Sequence, residues 1–118
     1  MKEIIENKQI GIDIIEVERF RKKNIEENTN FYKKIFTDSE MKYCKKFSDP
    51  YPHLAGKFAL KEAVQKSIHR DINIKKIETF NINSKPKVKI KNQKKYDFIV
   101  SMSHEKKYAI AIAISEKN

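Results

Sequence analysis

Tryptophan is absent from these 118 residues, cysteine occurs once, glycine twice and proline three times. A lone Cys44 cannot form an internal disulfide, and Cys44, His53, His69 and His104 lack the spacing of a zinc site. Gly11 and Gly56 are too few for a P-loop or a dinucleotide-binding fingerprint. No run approaches the roughly 20 apolar residues needed to span a bilayer. Met1-Lys2-Glu3 leads into mixed residues, not the apolar block of a signal peptide. These absences predict a cytoplasmic protein without a membrane partner. No repeat, low-complexity tract or Gly/Ser-rich linker interrupts the chain, so residues 1–118 are expected to form one domain.

What the chain has in excess is positive charge. It carries 26 basic and 16 acidic side chains, a net of +10, and residues 61–95 hold eleven Lys or Arg against three acids. Such a field attracts a polyanion or an acidic protein. Nucleic acid and a nucleotide cofactor satisfy it equally, so charge alone does not choose. Hydrophobic residues make up 39%, a share modest enough that other subunits could complete part of the core.

Gln9–Val17 (QIGIDIIEV) is short and rich in isoleucine, which predicts a buried strand. A polar helix is expected over Glu16–Lys23, and a short one carrying Phe31, Tyr32 and Ile35 after Asn28-Thr29-Asn30. Thr37-Asp38-Ser39-Glu40 is a capping box that starts a helix running to about Phe47. After Pro50 and Pro52 comes the longest helical segment, about His53 to Ile68. There Leu60, Val64 and Ile68 recur every four residues, with Leu54 and Phe58 widening the apolar face. Ile74–Asn83 and Lys85–Lys91 read as strands joined at Asn83-Ser84. In the second, lysines 85, 87, 89 and 91 share one face, and Pro86, Val88 and Ile90 the other. Asp97–Ser103 and Lys107–Ser115 read as a closing hairpin. The expected class is α+β, a long helix packed on a small, largely antiparallel sheet.

Three places could carry chemistry. Asp13 lies between Ile12 and Ile14, where a desolvated carboxylate needs a cation or good donors; the plain alternative is a strand-end aspartate bonded to backbone amides. Glu62 shares a helical stripe with Ala55, Ala59 and Lys66, and the two alanines leave room for a ligand; the plain alternative is a surface Glu62–Lys66 pair. Ser101-Met102-Ser103-His104 ends a strand at a tight turn. No Gly-x-Ser-x-Gly elbow surrounds either serine, which argues against a hydrolase nucleophile, and a turn histidine is commonly just exposed. The lysine row at 85–91 reads as a solvated face or a guarded edge strand, or else as a phosphate contact.

Taken together, four segments resemble holo-acyl-carrier-protein synthases, the small bacterial class of phosphopantetheinyl transferases. They are Gly11-Ile12-Asp13-Ile14-Ile15-Glu16-Val17-Glu18-Arg19, Phe36-Thr37-Asp38-Ser39-Glu40 with Tyr43-Cys44, Leu54-Ala55-Gly56-Lys57-Phe58-Ala59-Leu60-Lys61-Glu62-Ala63 with Lys66, and Val100-Ser101-Met102-Ser103-His104-Glu105 with Tyr108-Ala109. Any one alone is weak, but in order they cover nearly the whole chain.

The resemblance implies the fold of that family and transfer of 4′-phosphopantetheine from coenzyme A to a serine of apo acyl carrier protein, serving fatty acid biosynthesis. It implies Asp13 and Glu62 as magnesium ligands, with Lys66 beside the phosphates as a further catalytic group. Lys57, Ser103 and His104 join Lys66 as coenzyme A contacts. It further implies that Arg19, with Arg21 and Lys22 nearby, faces the acidic carrier, and that a homotrimer places active sites between subunits. Lys57 stands where arginine is usual, and cannot grip a phosphate bidentately. His69-Arg70-Asp71-Ile72 and Ser84-Lys85-Pro86 replace segments that usually contain glycine. The alternative from another class is a non-catalytic basic module that binds nucleic acid, with five Tyr and seven Phe available for stacking.

Overall fold

Isoleucine at alternate positions makes the first strand two-faced. In the computed structural model, which describes residues 7–118, β1 (Lys8–Glu16) turns Gly11, Asp13 and Ile15 inward. It turns Ile10, Ile12 and Ile14 outward, where they stay 57–62% exposed. The expected burial of this strand therefore holds for one face of the single chain. The reading of Met1-Lys2-Glu3 lies outside the described residues.

β1 pairs antiparallel with β5 (Tyr108–Lys117), and β5 with β4 (Tyr96–His104), giving the order β1-β5-β4. Asp13, Ala111 and Met102 stand in one row across this sheet. Helix α4 (Tyr51–Ile68), with Pro52 in its first turn, lies across the inner face. Ala55, Ala59 and Ala63 of the helix and Ala109, Ala111 and Ala113 of β5 are all buried, so small side chains let helix and sheet approach closely. A β-carbon at Gly11 would overlap the Ala63 carbonyl oxygen and stand 2.7 Å from the Ser67 amide nitrogen. The alanines thus make room for the sheet, and not for a ligand as their stripe suggested.

Before α4 come three short helices: α1 (Glu18–Arg21), α2 (Thr29–Ile35) and α3 (Asp38–Cys44). Phe20, Phe31, Tyr32, Phe36 and Phe58 form an aromatic cluster between them and α4, with ring centroids 5.1–6.2 Å apart. The capping box of α3 is present: Thr37 Oγ1 accepts from the Glu40 amide at 3.1 Å, and Glu40 Oε1 accepts from the Thr37 amide at 2.8 Å.

Glu40 does more than cap. Lys61 Nζ donates to its Oε1 at 2.8 Å, and the amide and hydroxyl of Thr79 donate to its Oε2 at 2.7 Å each. Glu40 and Lys61 are essentially sealed from solvent, so their charges depend on these bonds. Thr79 belongs to β2 (Ile77–Ile82), which pairs antiparallel with β3 (Lys85–Ile90) in a separate two-stranded sheet. Asn83 and Ser84 make the turn with φ of 51° and 66°, the sense favoured in two-residue hairpins. Lysines 85, 87 and 89 face solvent, and Ile90 is buried. The α+β architecture stands as expected, with two antiparallel sheets around one long helix.

Candidate active site

Where β1 crosses the C-terminal half of α4, Asp13, Glu62 and Lys66 converge. Lys66 Nζ lies 2.9 Å from Asp13 Oδ1 and 3.1 Å from the Ile12 carbonyl oxygen. No ion pair joins Lys66 to Glu62 among the described residues, so the surface-pair alternative does not describe this helix. The Asp13 side chain is only 12% exposed, and its Oδ2 is buried without a hydrogen-bond partner among the described residues. Burial first, and then the negative charge of Asp13, push the Glu62 carboxyl above the ordinary carboxylate range; Lys66 and Arg19 pull it back.

An unpartnered buried carboxylate oxygen beside a second carboxylate under like-charge strain suits a divalent cation. Among the described residues no group of three or more His, Cys, Asp or Glu could hold a metal. The protein therefore offers two carboxylates and leaves the remaining positions to water or phosphate, a division magnesium accepts. The donor set fits.

The other predicted residues are distributed around this point. His104 ends β4 on its inward face and packs over Gly56: a β-carbon there would meet Met102 Sδ at 2.8 Å and His104 Cδ2 at 3.5 Å. Helical rise puts Gly56 roughly 9 Å along the axis from Glu62 and about 15 Å from Lys66. Ser103, although adjacent in sequence, points to the opposite face of the sheet. There it borders a shallow depression with Ile12, Ser101, Ile110 and Ile112.

Lys57 stands apart. It is buried and donates to Thr79 Oγ1 at 3.0 Å, with its ammonium 4.7 Å from the centroid of the Tyr43 ring. Burial lowers its pKa, against the influence of Cys44 and Glu40. A head group enclosed this way has little to offer a cofactor from solvent.

Arg19 is exposed above the Phe58 ring, its guanidinium carbon 5.1 Å from the centroid, and lines a broad surface depression with Glu18, Lys22 and Lys23. Arg21 differs: its guanidinium grips both Asp49 oxygens at 3.0–3.1 Å. It serves α1 more than a partner. Sequence reasoning missed His53, whose ring meets His104 at a centroid distance of 4.6 Å. It also missed the buried Glu40–Lys61 pair. Neither carries a local signal, since both depend on elements brought together from distant parts of the chain.

Known proteins resemble this one along nearly all of its length. A holo-[acyl-carrier-protein] synthase of Thermodesulfovibrio yellowstonii is 41% identical over 108 residues, covering 89% of this chain and 95% of its own. That of Chlamydia trachomatis serovar D is 39% identical over 116 residues, covering 91% and 98%. Among solved structures, the holo-(acyl-carrier-protein) synthase of Bacillus anthracis in complex with CoA (3′,5′-ADP) superposes with a TM-score of 0.80 at 29% identity, covering 93% of this chain and 96% of that one. The Helicobacter pylori synthase in complex with coenzyme A gives 0.78 at 27%, covering 91% and 99%. The family model of the 4′-phosphopantetheinyl transferase superfamily matches residues 9–113, and the chain belongs to that family.

Proposed function

We propose that this chain, acting as one domain, transfers the 4′-phosphopantetheine group of coenzyme A to a serine of an apo acyl carrier protein, in support of fatty acid biosynthesis. The products are holo carrier protein and adenosine 3′,5′-bisphosphate. The observation that carries the reading is the convergence of Asp13, Glu62 and Lys66, in a chain whose relatives are holo-[acyl-carrier-protein] synthases over almost their full length. The nucleic-acid alternative rests on net charge and aromatic content and finds no support among those relatives.

Asp13 and Glu62 would hold magnesium, Asp13 Oδ2 being buried without a hydrogen-bond partner among the described residues. When bound, the ion neutralises pyrophosphate charge and polarises the phosphorus next to the pantetheine arm. The serine oxygen bonds to that phosphorus while the bond to the bridging pyrophosphate oxygen breaks. One of the two carboxylates accepts the serine proton. Lys66, its Nζ 2.9 Å from Asp13 Oδ1, would steady the charge that the departing phosphate gathers. His104 and Ser103 are further coenzyme A contacts, while Lys57, enclosed by Thr79 and Tyr43, holds β2 against α4.

Arg19 and Lys22 face the acidic carrier, with Arg21 bracing their helix against Asp49. The outward isoleucines at 10, 12, 14 and 99 are 57–68% exposed, an apolar sheet face suited to burial against two further copies. Ser103 lies on that face, so a homotrimer would complete the coenzyme A site between subunits. None of the helices in the described residues is long and apolar enough to cross a membrane; the setting proposed is the cytoplasm.

The test is direct. With coenzyme A and magnesium, the protein should add the mass of phosphopantetheine to an apo acyl carrier protein, and Asp13→Ala or Glu62→Ala should stop it. A folded wild-type protein that leaves the carrier unmodified would overturn the reading.

A further inference from the structure

The imidazole of His104 is held by packing. No hydrogen bond fixes it among the described residues, and the neighbouring Glu105 turns its Oε1 to the amides of Lys107 and Tyr108 at 2.8 Å each. Its ring rests over Gly56 and meets His53 edge to face, with centroids 4.6 Å apart and planes at 71°. His53, in the first turn of α4, is itself stacked on Phe47 at 3.6 Å and 11°. Phe47 in turn meets Tyr43 edge to face at 5.4 Å and 69°. Four rings therefore run from α3, through the loop before α4, to the end of β4.

We propose that His53 is a positioning residue for the coenzyme A site: its ring, braced by Phe47, fixes the orientation in which His104 presents its nitrogens to the anionic donor. This rests on His104 being a coenzyme A contact. An imidazole that swings freely must lose that freedom on binding, whereas one already wedged between Gly56 and His53 has lost it on folding. The groups facing His53 are His104, Lys57, Asp49 and Phe47. Burial lowers the His53 pKa, with His104 and Lys57 adding to the effect and Asp49 opposing it. At neutral pH His53 is thus an uncharged aromatic ring, and phenylalanine reproduces what it does. A histidine acting by charge would not be replaceable in that way.

Coenzyme A affinity, measured by calorimetric titration, and the separate KM values for coenzyme A and carrier test this in a double-mutant cycle. The variants are His53→Ala, His53→Phe, His104→Ala and the double alanine. We expect His53→Ala to weaken coenzyme A binding about three- to tenfold, the range one aromatic pair supplies, with the carrier KM within about twofold. His53→Phe should restore affinity at pH 8. In the His104→Ala background, His53→Ala should add nothing. If His53→Ala loses its native melting transition, His53→Gln, which keeps bulk without an aromatic ring, takes its place with the same expectation. Unchanged affinity in a folded ring-deleted variant, an equal loss in both backgrounds, or failure of folded His53→Phe to restore binding would each overturn the proposal. His104→Ala without effect on coenzyme A would instead remove the assignment of His104 on which it stands.

Discussion

Lys66 reaches from α4 to β1 and sets its Nζ 2.9 Å from Asp13 Oδ1, joining residues 53 positions apart. That contact leaves the other Asp13 oxygen without a partner and Glu62 facing a like charge. Balance among the three groups makes the site responsive to each substitution.

In metal-free protein the Glu62 carboxyl should titrate higher still in Lys66→Met, because a cation that lowers its pKa is gone. It should titrate lower in Asp13→Asn, because a neighbouring charge that raises it is gone. Carboxyl NMR titration reads both shifts, and motion in the same direction would refute the arrangement. Under turnover conditions, Lys66→Met should reduce kcat/KM by about 10²- to 10³-fold.

Glu40 and Lys61 should differ in how much stability their loss removes. Glu40→Ala leaves the buried Lys61 ammonium without a counter-ion, held only by the carbonyls of Ile35 and Ile74, and strips acceptors from the amides of Thr37 and Thr79. Lys61→Met leaves Glu40 with three remaining donors. Chemical denaturation should give a loss of about 3–5 kcal/mol for Glu40→Ala, and a clearly smaller one for Lys61→Met.

Arg19→Glu should raise the KM for the acidic carrier about tenfold or more at low salt, and progressively less as ionic strength rises. Coenzyme A affinity should hold nearly constant. Steady-state kinetics across a salt series provides the check, and matched losses for both substrates would discard the docking assignment.

Ile12, 57% exposed on the outer face of the edge strand β1, is the place to test assembly. Ile12→Asp puts a charge between Ile10 and Ile14 on the proposed apolar subunit contact. Light scattering should show a trimer for the wild type and a smaller species for the variant. A monomeric wild type would remove the intersubunit site.

Local order was legible in residues that act within a few positions of one another. Thr37 and Glu40 announced their helix start because both halves of a capping box lie in four residues. The lysines and apolar residues of Lys85–Ile90 announced their two faces because a strand alternates by two. Asp13 and Glu62 were conspicuous as acids set among apolar or small residues. The roles of Lys57, Arg21 and the alanine stripe read differently, since each depends on what another element brings. Thr79 and Tyr43 enclose Lys57, Asp49 captures Arg21, and the surrounding fold seals Ala55 and Ala59 from solvent.

By itself the sequence determined the elements, their polarity and the residue types available for phosphate chemistry, because helical and strand periodicity and side-chain charge are local properties. The tertiary structure alone decided that Lys66 answers to Asp13 instead of Glu62, and that the His53 ring meets that of His104. Those outcomes follow from how closely α4 can approach the sheet. The missing β-carbon at Gly11 sets that distance, because one there would overlap the backbone of α4 at Ala63, remote along the chain.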